Sequence, residues 1–310
     1  MNCGHTTGNK GVPMKYLLKI FLLATLLLSL SHTSFAEPRQ KELLIGLIPE
    51  MNVFKQQERF KPLMEYLGKK TGVKMNLTIL RRYGNIIKRF SADRMDGAFF
   101  GSFTGALAIE KLGVEPIARP VNTDGSSTYH GYIFVRKDSG IKSVADMKGK
   151  KMAFVEKATT AGYIFPIAYL RENGVRDISR FFSEYYFSGS HDASIYAVLN
   201  KEADIGAAKH SIYDRVRKDD PRVDKELVIL AESAKVPSNG LCVRKGLNQD
   251  IKKKLKEALL SIDRDPEGKA VLQKFGAIRF IETTVADYKP VTDIAKKAGI
   301  EIKRYNWENK

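Results

Sequence analysis

The feature that most constrains this chain is an alternation of short apolar runs with segments of helical period. KELLIGLIPE, residues 41–50, is almost unbroken apolar sequence, as suits a strand covered on both faces. FKPLMEYLGKKTG follows, with Phe60, Leu63, Met64 and Leu67 at helical spacing and Gly72 as a stop. MNLTIL and DGAFFG predict further strands, YGNIIKRF and SFTGALAIEKLG further helices, and TYHGYIFVRKDSG a longer alternating strand. This order is that of an α/β chain built on parallel sheet.

The pattern then restarts. SVADMKGKKMAFVEK predicts a short helix and a strand, TTAGYIFPIAYLRENG a helix, FFSEYYFSG a strand and HDASIYAVLNKEA a helix. DIGAAK and LVILAES predict strands on either side of the helix HSIYDRVRKDD, and two amphipathic helices follow VPSNGLCVRKGL. Two α/β lobes account for this order, each a mostly parallel sheet flanked by helices. Residues 41–135 plus 240–310 form the first and 136–239 the second. The chain crosses between them at about Phe134–Lys137 and Pro237–Val243.

Residues 1–36 are expected to be an N-terminal extension and a secretory signal. In MKYLLKIFLLATLLLSLSHTSFA, Met14 to Ala36, two lysines precede an apolar core and Ser34-Phe35-Ala36 forms a small-x-small cleavage site. Translation from Met14 suits this layout better than translation from Met1. The expected location is the periplasm, by export with removal of the signal. The remaining chain keeps Cys242 as its one cysteine, so no intramolecular disulfide can form in it.

The formal net charge is +17, and loss of the leader's Lys10, Lys15 and Lys19 leaves +14. A field of that sign favours anions. The basic residues are scattered rather than interleaved with aromatics, and KKKLK, Lys252 to Lys256, sits on a helix with a solvated face. Nucleic acid is therefore not the expected partner.

Open α/β sheets bind ligands beyond the carboxyl ends of their strands, where loops open helices. The candidate junctions are Pro49–Val53, Arg82–Tyr83, Gly101–Thr104, Ala158–Gly162, Ser188–His191 and Lys209–Ser211. FGSFTG puts Ser102 at one such opening, as a helix cap or as an anion donor. KATTAGYIFP offers Thr159 and Thr160, with Ala161 and Gly162 allowing close approach to the backbone; capping and anion binding both fit. GSHDAS places His191 where its ring can donate to an oxyanion or serve a structural role. Enzymatic patterns are lacking: there is no HExxH, CxxC, GxSxG or Walker loop in the sequence. No metal, cofactor or catalytic residue is expected, and Cys242 reads as packing.

Taken together, LIGLIPE, FKPLMEYLGKKTG, DGAFFGSFTGALA, YHGYIFVRKDSGIKSVADMKGKKMAFVEKATTAGYIFP, GSHDASIYAVLNKEADIGAA and VPSNGLCVRKGL resemble the phosphonate/phosphite/phosphate-binding proteins of ABC transporters. The similarity is collinear over nearly all of the chain after the leader. It implies a type 2 periplasmic binding protein fold and hinge closure on a tetrahedral oxyanion. It also implies delivery to an ABC permease of the inner membrane by a monomer.

The resemblance assigns the ligand to Thr159, Thr160 and Ala161, which stand at a Ser-Thr-Ser run of the family, and to His191 of the Gly-x-His-Asp motif. It adds Tyr83 and an aromatic at Phe99 or Phe100, with Phe100 expected to line the ligand beside Ser102 of FGSFTG. Asn239, in VPSNG, stands where members that take aminophosphonates carry an acid, and no carboxylate stands near His210–Ser211. Phosphate, phosphite or a simple alkylphosphonate therefore fits better than an aminophosphonate. A sensor input to a membrane kinase or cyclase and a sulfonate-binding protein are the alternative readings.

Overall fold

Asn52 starts the first helix by accepting hydrogen bonds from the N–H groups of Phe54 and Lys55 at 3.0 and 3.5 Å. This helix, α1 (Val53–Thr71), buries Phe60, Leu63, Met64 and Leu67, the stripe its spacing predicts, and ends at Gly72 with φ +72°. The computed structural model describes residues 1–4 and 42–308. The expected signal segment lies outside the described residues.

The chain runs β1 (Glu42–Leu47), α1, β2 (Lys74–Ile79), α2 (Asn85–Ala92), β3 (Gly97–Phe100), α3 (Ser102–Leu112) and β4 (Glu115–Asn122). Then come β5 (Thr128–Tyr129), β6 (Gly131–Arg136), β7 (Lys151–Phe154), a π-turn at Thr160–Ile164, α4 (Phe165–Glu172) and α5 (Ile178–Phe181). β8 (Glu184–Phe187), α6 (His191–Leu199), β9 (Ile205–Lys209), α7 (His210–Asp219), α8 (Arg222–Glu226) and β10 (Leu227–Glu232) follow. The last part is β11 (Val236–Pro237), β12 (Gly240–Val243), α9 (Gln249–Leu260), α10 (Pro266–Phe275), β13 (Ala277–Glu282) and α11 (Lys289–Lys297).

The strands form a six-stranded sheet in the order β13-β4-β12-β3-β1-β2 and a five-stranded sheet in the order β10-β6-β9-β7-β8. Each is the centre of one lobe. β1 is parallel to β2 and β3, and β7 is parallel to β8 and β9. The other pairs, around β12, β4 and β13 and around β6 and β10, are antiparallel. The sheets are thus mixed where mostly parallel ones are expected. The reason is the double crossing: β6 and β12 enter their sheets from the crossings and run back from the edge at which the βα strands end.

The crossings also lie earlier than the sequence predicts. Phe134 is inside β6, opposite Gly206 of β9 and Ile229 of β10, so the expected crossing at Phe134–Lys137 falls within and just beyond a strand of the five-stranded sheet. The observed ones run through residues 123–130 and 233–239, where β5 and β11 pair as a two-stranded antiparallel ribbon. A continuous run of apolar residues cannot distinguish a crossing from the strand it feeds.

The largest apolar cluster includes Phe100 and Phe103 beside one sheet and Ile133, Phe154 and Ala161 beside the other. α11 buries Val291, Ile294 and Ala295 and packs against both α3 and α4. The C-terminal helix therefore supports both lobes, although residues 240–310 are expected to belong to the first alone.

Candidate functional site

Three helical starts define the site, because the first N–H groups of a helix have no intrahelical acceptor. α3 follows β3 through Gly101, and its first backbone bond runs from Gly105 N to Gly101 O at 2.7 Å. The N–H groups of Ser102, Phe103 and Thr104 lie before that bond. In the π-turn the first wide bonds are Ile164 N to Thr159 O, at 3.0 Å, and Phe165 N to Thr160 O. The N–H groups of Thr160, Ala161 and Gly162 precede them. A single π-turn is a frequent device for placing backbone groups at functional sites. α6 is capped by Ser190, whose hydroxyl accepts from Ala193 N.

The first two starts meet. Ser102 Oγ shares hydrogen bonds with Thr160 Oγ1 at 2.6 Å and with Tyr129 Oη at 2.5 Å. All three side chains are buried. One hydroxyl thus comes from each lobe and one from the ribbon between them. Gly131 permits this approach: a Cβ there would lie 2.9 Å from Ala161 Cα and 3.0 Å from Ala161 Cβ.

His191, the first residue of α6, is buried and accepts a hydrogen bond at Nδ1 from the backbone N–H of Lys209 at 3.2 Å. Burial lowers its pKa to about 4, against the opposing pull of Glu50. The ring is therefore neutral near pH 7, with its proton on Nε2 as a donor. Tyr83 packs edge-on against it at 5.9 Å between ring centroids. Tyr83 Oη is buried without a hydrogen-bond partner among the described residues, and burial raises its pKa well above the ordinary value.

The charges at the site come from the ends of β1 and β9. Lys209 Nζ donates to Glu50 Oε1 at 2.9 Å and to Asn239 Oδ1 at 3.1 Å. Burial alone would raise the Glu50 pKa, but Lys209 and then Arg59 hold it at about 2. Arg59 Nη1 lies 4.0 Å from Glu50 Oε2, so two cations face one carboxylate. Glu156 accepts hydrogen bonds from the backbone N–H groups of Tyr83 and Gly84 in the opposite lobe. Burial pushes its pKa up to about 7.

The structure brings Tyr83, Ser102, Thr160 and His191 to the facing walls of the two lobes, with Asn239 beside them at the end of the second crossing. Thr159 serves its own turn, donating from Oγ1 to Glu156 O at 2.6 Å. Ala161 is a buried part of the π-turn. Phe100 is a core residue packed on Phe90 at 5.8 Å between centroids; the aromatic of the hydroxyl cluster is Tyr129. Sequence reasoning also misses Glu50, Glu156 and Lys209. Glu50 and Lys209 lie in junctions picked out as candidates, and the signal was their charge at the end of an apolar strand. Tyr129 is concealed inside what reads as one long strand.

Residues 45–288 match the family model of the periplasmic phosphonate substrate-binding protein of ABC transporters. The phosphonates-binding periplasmic protein of Escherichia coli K12 is 26% identical over 280 residues, covering 89% of this chain and 81% of the relative. Among solved structures, a binding protein component of an ABC phosphonate transporter from Pseudomonas aeruginosa superposes with a TM-score of 0.77 at 23% identity. It covers 84% of this chain and 87% of that one. PhnD1 of Prochlorococcus marinus in complex with methylphosphonate gives 0.74 at 24% identity, covering 84% and 98%. These likenesses establish the two-lobed type 2 fold.

Proposed function

The chain belongs to the periplasmic phosphonate substrate-binding proteins of ABC transporters, and from that premise we propose that it captures a small phosphorus oxyanion between its lobes for an ABC permease. One observation carries this reading: Tyr83 holds a buried hydroxyl without a partner among the described residues, beside the neutral His191 ring. A buried polar group left unpaired costs about 1–3 kcal/mol. A ligand oxygen between the lobes removes that cost.

The donors available to it are neutral. They are the N–H groups of Phe103 and Thr104 in α3 and those opening the π-turn, the hydroxyls of Ser102, Tyr129 and Thr160, and Nε2–H of His191. Such donors hold an anion without a metal or a covalent step. The same oxyanion bound from both sides favours the closed arrangement, because its full set of contacts exists only there. We place the protein in the periplasm, exported through its leader, and assign it no chemical step.

Native mass spectrometry of the protein purified from cells tests this reading. A phosphate-, phosphite- or alkylphosphonate-sized ligand at one per chain is the expected result. A sulfonate or an organic cation in its place would overturn the ligand class.

A further inference from the structure

Glu50, Asn239 and the ring of Tyr129 converge on one point, and an ammonium already occupies it. Lys209 Nζ lies 2.9 Å from Glu50 Oε1, 3.1 Å from Asn239 Oδ1 and 4.5 Å from the Tyr129 ring centroid. A carboxylate, an amide carbonyl and an aromatic face together are what recognises an organic ammonium ion. All four residues are between 4% and 9% exposed, so the group is built into the protein and is not a chance surface pair. Tyr129 joins it to the hydroxyl cluster, since its Oη bonds Ser102 Oγ. One tyrosyl ring separates the ammonium from the oxyanion donors.

We propose that Lys209 is the specificity-determining residue of the cleft. It supplies from the protein the ammonium that an amino-substituted ligand would bring, so the cleft selects small oxyanions without a cationic substituent. The inference rests on the reading of the cleft as an oxyanion site and names its substrate class. Lys209 acts twice. It neutralises Glu50, whose carboxylate would otherwise repel the ligand, and it occupies the acceptors that a ligand ammonium would need. A second ammonium there would meet a like charge in a poorly solvated space. Arg59 does not substitute for Lys209, as it approaches only the other carboxylate oxygen, at 4.0 Å.

Calorimetry on the wild type and Lys209→Ala, with methylphosphonate and 2-aminoethylphosphonate, tests the proposal. The wild type should prefer methylphosphonate by about tenfold or more, and the variant should reverse the order, each tenfold step being about 1.4 kcal/mol. A second readout needs no oxyanion. Ethylammonium chloride should raise the melting temperature of Lys209→Ala above its value in sodium chloride of equal ionic strength, and leave the wild type unmoved. Adding Glu50→Gln to the variant should abolish the ethylammonium effect and the preference for 2-aminoethylphosphonate, leaving the two phosphonates bound about alike.

The outcomes are separable. Ethylammonium stabilisation without binding of any oxyanion would support the ammonium place and defeat the oxyanion reading. Methylphosphonate binding with neither gain in Lys209→Ala would do the reverse and overturn the proposal. If Lys209→Ala alone fails to fold, the Lys209→Ala/Glu50→Gln double variant removes the unpaired charge. It must then lose the wild type's discrimination against 2-aminoethylphosphonate; retained discrimination would also overturn the proposal.

Discussion

Ser102 and Thr160, each opening a helical segment after a strand of a different sheet, share a hydrogen bond of 2.6 Å. The two lobes therefore touch hydroxyl to hydroxyl at the point where both open a helical segment. Removing either hydroxyl should weaken oxyanion binding. For Ser102→Ala or Thr160→Val we expect a loss of about 1.5–3 kcal/mol, the range for hydrogen bonds to charged groups. The double variant should lose less than the sum, because the two share one partner set. Calorimetry checks both statements, and full additivity would mean that the hydroxyls act separately.

Tyr83→Phe separates binding from stability. Its hydroxyl has no partner among the described residues, so the variant, relieved of an unpaired buried group, should melt above the wild type. Its affinity for the oxyanion should fall by about 1.5–3 kcal/mol, the worth of a hydrogen bond to a charged partner. A stability loss with unchanged affinity would assign the hydroxyl to the fold instead.

Two buried groups give opposite dependences of stability on pH. His191 has a pKa lowered from 6.5 to about 4, so protons prefer the unfolded chain. Its contribution is complete above pH 6.5 and is lost as pH falls from there towards 4. Glu156 is raised from 4.5 to about 7, so protons prefer the fold. Its contribution is complete below pH 4.5 and is lost as pH rises to 7. Glu156→Gln should therefore be more stable than the wild type above pH 7, by on the order of 1–3 kcal/mol. That advantage should shrink towards pH 4.5, where both side chains are neutral. Thermal melts across this range test it, and a difference independent of pH would contradict it.

Gly131→Ala should disturb the site by sterics alone. The added methyl would sit 2.9 Å from Ala161 Cα and 3.0 Å from Phe165 Cδ1, and overpacking of this kind costs about 1–3 kcal/mol. The melting temperature should drop and binding should weaken as the π-turn shifts from Ser102. A variant with wild-type stability and affinity would show that the turn yields without loss.

Much of this architecture was legible in the sequence because periodicity carries it. The apolar run of β1 and the Phe60, Leu63, Met64 and Leu67 stripe of α1 identify themselves. So do the strand-to-helix junctions that place Ser102, Thr160 and His191. What periodicity cannot show is direction and long-range pairing. β6 reads as part of one long strand with β5, and only the sheet reveals that the crossing precedes it. The site residues that escaped notice have the same cause. Lys209 and Glu50 are 159 positions apart and become an ion pair only when the lobes meet. Thr159, by contrast, matches the motif, but its hydroxyl is turned to Glu156 O.

Binding of a small phosphorus oxyanion between the facing walls of the two lobes is open to direct measurement. Titration calorimetry of the purified protein with phosphate, phosphite and methylphosphonate tests it most directly. Saturable binding of at least one is expected, at one ligand per chain, weakened in His191→Ala by about 1.5–3 kcal/mol. Absence of heat and of any shift in melting temperature with all three, in a folded protein, would contradict it.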